Sequence, residues 1–170
     1  MPATFFLVSG LVGKTNEWMD SQRSSAFSLM NWHQAAYLQR RGFELGSHTC
    51  SHPMLTEIDV VRARLEIENS KKELENRVGI AVQAFAYPFG AYNDTVRNLV
   101  RQAGYRCACS TMSGFTDYDA DRFLLRRIDV FGDDSITAFR RKLLFGSNRV
   151  STPEVLKYYL QRAQSKLLRA

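Results

Sequence analysis

Short apolar runs alternate with longer amphipathic stretches along this chain. Ala3 to Gly10 (ATFFLVSG) is apolar at successive positions and ends in glycine, the pattern of a strand buried on both faces. After a polar, turn-rich connection, LMNWHQAAYLQRRG places Leu29, Trp32, Ala36 and Tyr37 at helical spacing, with Gly42 closing the helix. FELGSHT reads as a second strand. HPMLTEIDVVRARLEIENSKKELENRVG then forms an amphipathic helix through Ile58, Val61, Leu65, Glu68 and Leu74, with Thr56 as its expected N-cap and Gly79 as its stop. VQAFAYP predicts a third strand, NDTVRNLVRQAG a helix capped by Asn93, and YRCACST a fourth strand. FLLRRIDV predicts a fifth strand and DSITAFRRKLLFG a helix; a last helix follows in STPEVLKYYLQRAQSKLLR, capped by Ser151 or Thr152 with Pro153 in its first turn.

Strands alternating with helices at this rhythm predict βαβ units, hence an α/β fold with a parallel sheet or barrel. No repeat, linker or low-complexity segment interrupts the pattern, so residues 1–170 are expected to form a single domain. A content of 45% hydrophobic residues suffices for a buried core. The net charge of +6 is spread over the length, with local pairs at Arg40/Arg41, Arg126/Arg127 and Arg140/Arg141. Nucleic-acid binding calls for a clustered patch or a reading motif, and neither is present. Three cysteines are too few for a disulfide framework, and Cys107 and Cys109 are expected as a buried pair on one strand face. With no long apolar run and no charged leader before the first apolar segment, the chain reads as cytoplasmic, without a membrane span.

The chemistry concentrates in GSHTCSHPML, where His48 and His52 stand near the C-terminal end of the second strand. Strand ends of that kind face the ligand-binding mouth of parallel α/β folds. Two imidazoles in a strand-to-helix turn can converge on one divalent ion; capping and packing are the other roles open to them. Tyr87-Pro88-Phe89-Gly90 reads either as a turn closing the third strand or as a source of main-chain donors. The Cys50 thiol between the histidines has no partner group in the sequence that would make it a nucleophile.

Taken in order, PATFFLV, GSHTCSHPMLT, FAYPFGAYND and LLRRIDV resemble the motifs of the polysaccharide deacetylases, the NodB-homology group of carbohydrate esterase family four. The resemblance runs from Pro2 to about Gly146. It implies a deformed (β/α) barrel and metal-dependent hydrolysis of N-acetyl groups from a polysaccharide or oligosaccharide of amino sugars. The residues matching the family's ligands are His48 and His52, for a divalent metal, most often zinc, and Thr49 would steady their loop. Tyr87 and Pro88 would lie at the substrate, the Phe89 amide would stabilise the oxyanion, and Arg127 would orient charge in the pocket. Asp129, Asp133 and Asp134 are expected in a solvated loop.

The chain departs from the family in three places. Members carry an aspartate pair in a TFDDG-like phrase on the strand before the one that here begins ATFF, and this phrase is absent, so a first strand is expected to be missing from the barrel. No acidic residue lies in residues 1–15 to replace it, no histidine follows His52, and Ala86 stands where an arginine often precedes the proline motif. Three readings follow: an incomplete form of an active deacetylase, an inactive remnant that binds carbohydrate or a protein partner, or a site repaired by Asp129, Asp133 or Asp134. The open sheet edge beside ATFFLVS predicts self-association.

Overall fold

The structure is a computed structural model that describes residues 3–19 and 27–148, with Pro153 and Leu156 beyond them. It divides into two compact units: Met1–Thr111 with Thr116–Leu125, and Met112–Phe115 with Arg126–Ala170.

In the first unit β1 (Thr4–Leu7), β2 (Glu44–Ser47), β3 (Ala84–Ala86) and β4 (Cys107–Cys109) form one sheet in the order β1-β2-β3-β4, every pairing parallel. α1 (Trp32–Arg40), α2 (Val60–Val78) and α3 (Asp94–Gln102) are the crossovers. This is the α/β class that the alternation of strands and helices predicts, although the described strands form an open sheet and not a closed barrel. Leu45, Ile67, Phe85, Val100 and Ala108 lie at the centre of the core, each at most 1% exposed.

The helices begin and end where side chains can satisfy their free main-chain groups. Asn31 and Gln34 form a reciprocal capping box on α1, and Asn93 caps α3 by accepting from the Val96 N–H. α2 ends at Gly79, which is left-handed (φ 73°). Its N-cap is Asp59, which accepts from the Arg62 N–H, and not Thr56. Thr56 lies in a turn after Pro53 that is closed by the Glu57 N–H donating to the Met54 carbonyl, so the helix starts later than its apolar pattern suggests.

The buried face of α2 also differs from the expected stripe. Ala63, Ile67, Ser70 and Leu74 point inward, whereas Val61 and Leu65 are exposed. Small residues bring the helix close to the sheet: the Ser70 and Ser47 hydroxyls meet at 2.7 Å, and the Tyr105 hydroxyl donates to the Ile67 carbonyl. On α1 the buried position is Ala35, while Tyr37 is exposed.

Two further expectations are corrected here. Cys107 and Cys109 are only partly buried, because the residue that β4 turns into the core is the Ala108 between them. The segment FLLRRIDV is not a strand: it touches the sheet through one parallel bridge, Leu125 to Cys109. A turn at Asp121–Leu124 precedes that bridge, and the Arg127 N–H beyond it donates to the Met112 carbonyl in the second unit.

The second unit holds α4 (Ile136–Phe145), capped by Ser135 and closed by the left-handed Gly146. Lys142 of α4 is buried and donates to both Asp134 carboxylate oxygens, at 2.8 and 2.6 Å, and to the Asp129 carbonyl. That hydrogen bond holds the Asp134 carboxyl below its ordinary value. Asp134 is therefore a clamp on α4 and not a solvated loop residue; Asp129 is bonded to Asn148 through its N–H and its carboxylate. The Ser151 and Thr152 caps lie outside the described residues. No helix among the described residues is long and apolar enough to cross a membrane.

Candidate functional site

β2 ends at Ser47 and the chain reverses at once. Thr49 and His52 adopt φ of 69° and 62°, and Phe89, in the turn after β3, adopts 57°. Among the described residues these are the three non-glycine positions with left-handed backbone, and for a β-branched threonine that conformation is strained. Hydrogen bonds hold it. Thr49 is fully buried; its hydroxyl donates to the His48 carbonyl at 2.5 Å and accepts from the His52 N–H at 3.0 Å. From the end of β1, the Ser9 and Gly10 N–H groups donate to the Thr49 and Cys50 carbonyls, both at 3.0 Å. A Cβ at Gly10 would lie 2.7 Å from the Cys50 oxygen, so only glycine permits that approach.

This turn brings the two histidines together. His48 Nδ1 lies 2.7 Å from the Ala86 carbonyl, which can only accept, so the ring proton sits on Nδ1 and the lone pair on Nε2. That Nε2 faces His52 Nε2 at 3.1 Å. His52 is 8% exposed, and its burial lowers its pKa, favouring the neutral ring that can ligate a metal. Its Nδ1 is buried without a hydrogen-bond partner among the described residues.

Aromatic rings enclose His52. Trp18 stacks on it at 4.6 Å with 25° between planes, and Phe89 meets it edge-on at 4.8 Å. Asn16, two residues before Trp18, is buried and accepts from the Phe27 N–H. A mostly apolar cavity of about 270 Å³, lined among others by Phe5, Leu7, Val8, Trp18 and Met30, reaches His48. The sequence reading missed Trp18; the available signal was a lone tryptophan inside a polar connection.

Tyr87 and Pro88 are buried, and the Tyr87 hydroxyl donates to the Phe123 carbonyl, so their side chains pack into the core. Phe89 is 52% exposed. The turn's own bonds run from the Gly90 N–H to Tyr87 and from the Ala91 N–H to Pro88, a pattern that leaves the Phe89 N–H outside its ladder. Burial, reinforced by the Glu66 and Glu73 carboxylates, pushes the Cys50 thiol up to about 11, which suits an inert thiol. Arg127 is half-buried and belongs to the second unit. Among the described residues, no third His, Cys, Asp or Glu joins the histidine pair in a ligand cluster.

Residues 1–108, which include both histidines and the Phe89 turn but not Arg127, match the family model described as polysaccharide deacetylase. Three solved structures share the fold. The Streptococcus pyogenes deacetylase PplD, solved in complex with acetate, superposes with a TM-score of 0.66 at 23% identity, over 78% of this chain and 54% of its own. BC0361, a polysaccharide deacetylase from Bacillus cereus, gives 0.66 at 23% identity, over 82% of this chain and 41% of its own. IcaB from Ammonifex degensii gives 0.62 at 24% identity, over 78% of this chain and 58% of its own. The chain thus spans about half the length of the structures it resembles. No curated protein matches it in sequence.

The Thr49 bonds generate a test. Thr49→Val keeps the shape but leaves the buried His52 N–H without its acceptor, and is expected to destabilise the fold by about 1–3 kcal/mol in urea denaturation. Thr49→Ser retains the hydroxyl and is expected to lose less; equal losses for both would show that the hydroxyl does not hold the turn.

Proposed function

Because the chain belongs to the polysaccharide deacetylase family, we propose that it hydrolyses N-acetyl groups of an amino-sugar polysaccharide or oligosaccharide with the help of a divalent metal, zinc by preference, held by His48 and His52. The observation that carries this reading is the convergence of the two Nε2 atoms at 3.1 Å. Two nitrogens bound to one tetrahedral zinc at their usual bond lengths stand about 3.3 Å apart. Further support comes from the proton on His48 Nδ1, bonded to a main-chain carbonyl in the manner of metal-binding imidazoles.

When bound, such an ion polarises an amide carbonyl and lowers the pKa of water towards ~7, which supplies the nucleophile that an unreactive acetamide requires. The chain's own residues do the rest. His48 and His52 hold the cation in the lone-pair directions fixed by Thr49 and Ala86. The Phe89 N–H donates to the oxygen that becomes negative as water adds to the carbonyl carbon. The carbon–nitrogen bond then breaks, releasing acetate and leaving the amine protonated. The rings of Trp18 and Phe89 limit the access of bulk water to His52. We also propose that β1, the edge of the described sheet, pairs with a second copy of the chain.

Acetate release from N-acetylglucosamine oligomers in the presence of zinc tests the reading. Release that falls to the uncatalysed background in His48→Ala and in His52→Ala is expected. Binding of the oligomers without any acetate would instead favour the reading of an inactive carbohydrate binder. Sedimentation is expected to show a dimer; a monomer at all concentrations would rule out pairing through β1.

A further inference from the structure

Glu66 lies in the second turn of α2, on a face that the amphipathic pattern assigns to solvent. Its carboxylate is instead committed to the loop that carries the histidines. One oxygen, Oε2, accepts from the main-chain N–H groups of both Cys50 and Ser51, each at 2.9 Å. The other, Oε1, accepts from the Ser51 hydroxyl at 2.6 Å. The Cys50 thiol in turn lies 3.6 Å from the Glu66 main-chain carbonyl. One side chain therefore takes up the polar groups of the two residues midway between His48 and His52.

The geometry follows from the left-handed Thr49. A residue of that conformation within a tight turn aims successive N–H groups to the same side, where they form a concave cluster of donors suited to an anion. Charge-assisted bonds from a carboxylate to such donors are stronger than those between neutral groups. Thr49 braces the turn from within, and Ser9 and Gly10 brace it from the β1 side. Glu66 braces it from α2, so the loop is fixed on three sides. The α2 residues that hold the helix in the core are Ala63, Ile67, Ser70 and Leu74, so the contribution of Glu66 is to the loop and not to the helix packing.

We propose that Glu66 is a positioning residue: by fixing the Cys50–Ser51 main chain from α2, it keeps the imidazoles of His48 and His52 at the separation at which they share a divalent cation. This inference rests on the metal reading of the histidine pair. Loss of the carboxylate frees the two N–H groups, widens the range of His48 to His52 separations, and weakens cation binding while the fold persists. Glutamine at this position retains an oxygen that accepts from the same N–H groups.

The experiment compares wild type, Glu66→Ala and Glu66→Gln in three measurements on the intact protein. Zinc affinity is read by competition with a chromophoric chelator, amide hydrogen exchange at Cys50 and Ser51 is read without metal, and the urea midpoint reports global stability. Glu66→Ala is expected to weaken zinc binding about 10- to 100-fold, the range for groups that orient metal ligands. It is also expected to speed exchange at Cys50 and Ser51 at least tenfold, with the urea midpoint near that of wild type. Glu66→Gln is expected to recover most of both losses.

Unchanged exchange and unchanged zinc affinity in Glu66→Ala would overturn the proposal. So would equal losses in Glu66→Ala and Glu66→Gln, because the charge alone would then account for the effect. If the alanine variant fails to fold, the glutamine variant decides: wild-type affinity and exchange support positioning, and alanine-like loss of stability overturns it. Wild-type protein that binds no zinc, yet shows faster loop exchange in Glu66→Ala, would overturn the metal reading while supporting the hold of Glu66 on the loop.

Discussion

The reversal of the chain after β2 is the constraint on which the rest of the site depends. Within four residues the main chain enters the left-handed region twice, at Thr49 and His52, and each such non-glycine position costs about 1–3 kcal/mol. The conformation persists because main-chain, hydroxyl and carboxylate partners meet it from every neighbouring element: Leu7, Ser9 and Gly10 from β1 and its end, Thr49 within the turn, and Glu66 from α2. A turn relaxed into ordinary extended backbone would send the second imidazole elsewhere. Strain concentrated here, and again at Phe89, marks where the fold trades stability for a fixed arrangement of polar atoms.

The parallel sheet explains why these particular residues meet. Because the described strands all run the same way, their C-terminal ends share one edge. Ser9 and Gly10 follow β1, His48 follows β2, and Phe89 follows β3. The main chain of β3 also contributes directly, since the Ala86 carbonyl selects the tautomer of His48. Residues far apart in the chain thus arrive at one place through strand register, with the Ser47–Ser70 contact setting how closely α2 approaches the loop.

What was legible in the sequence is what depends on local chemistry. The caps at Asn93 and Gly79, the strands through Phe5, Leu45, Phe85 and Ala108, and the histidine spacing follow from side-chain type and periodicity alone. The errors share a different cause. α2 carries two overlapping stripes, and the core took Ala63 and Ser70 over Val61 and Leu65 because close approach to β2 requires small residues. Leu125 pairs for a single residue because the turn at Asp121 and the bond from Arg127 to Met112 bend the chain on either side. The roles of Trp18 and Glu66 do not follow from the sequence for a related reason: their partners, His52 and the Cys50–Ser51 main chain, come from distant segments.

The central claim is that this reversal presents two imidazole Nε2 atoms to one divalent cation. Nitrogen NMR of the histidine side chains during zinc titration tests it most directly. The account predicts that Nε2 of His48 and Nε2 of His52 change together and saturate at one zinc per chain, while Nδ1 of His48 keeps the proton it donates to Ala86. A response at only one of the two rings, or binding through Nδ1 of His48, would contradict it.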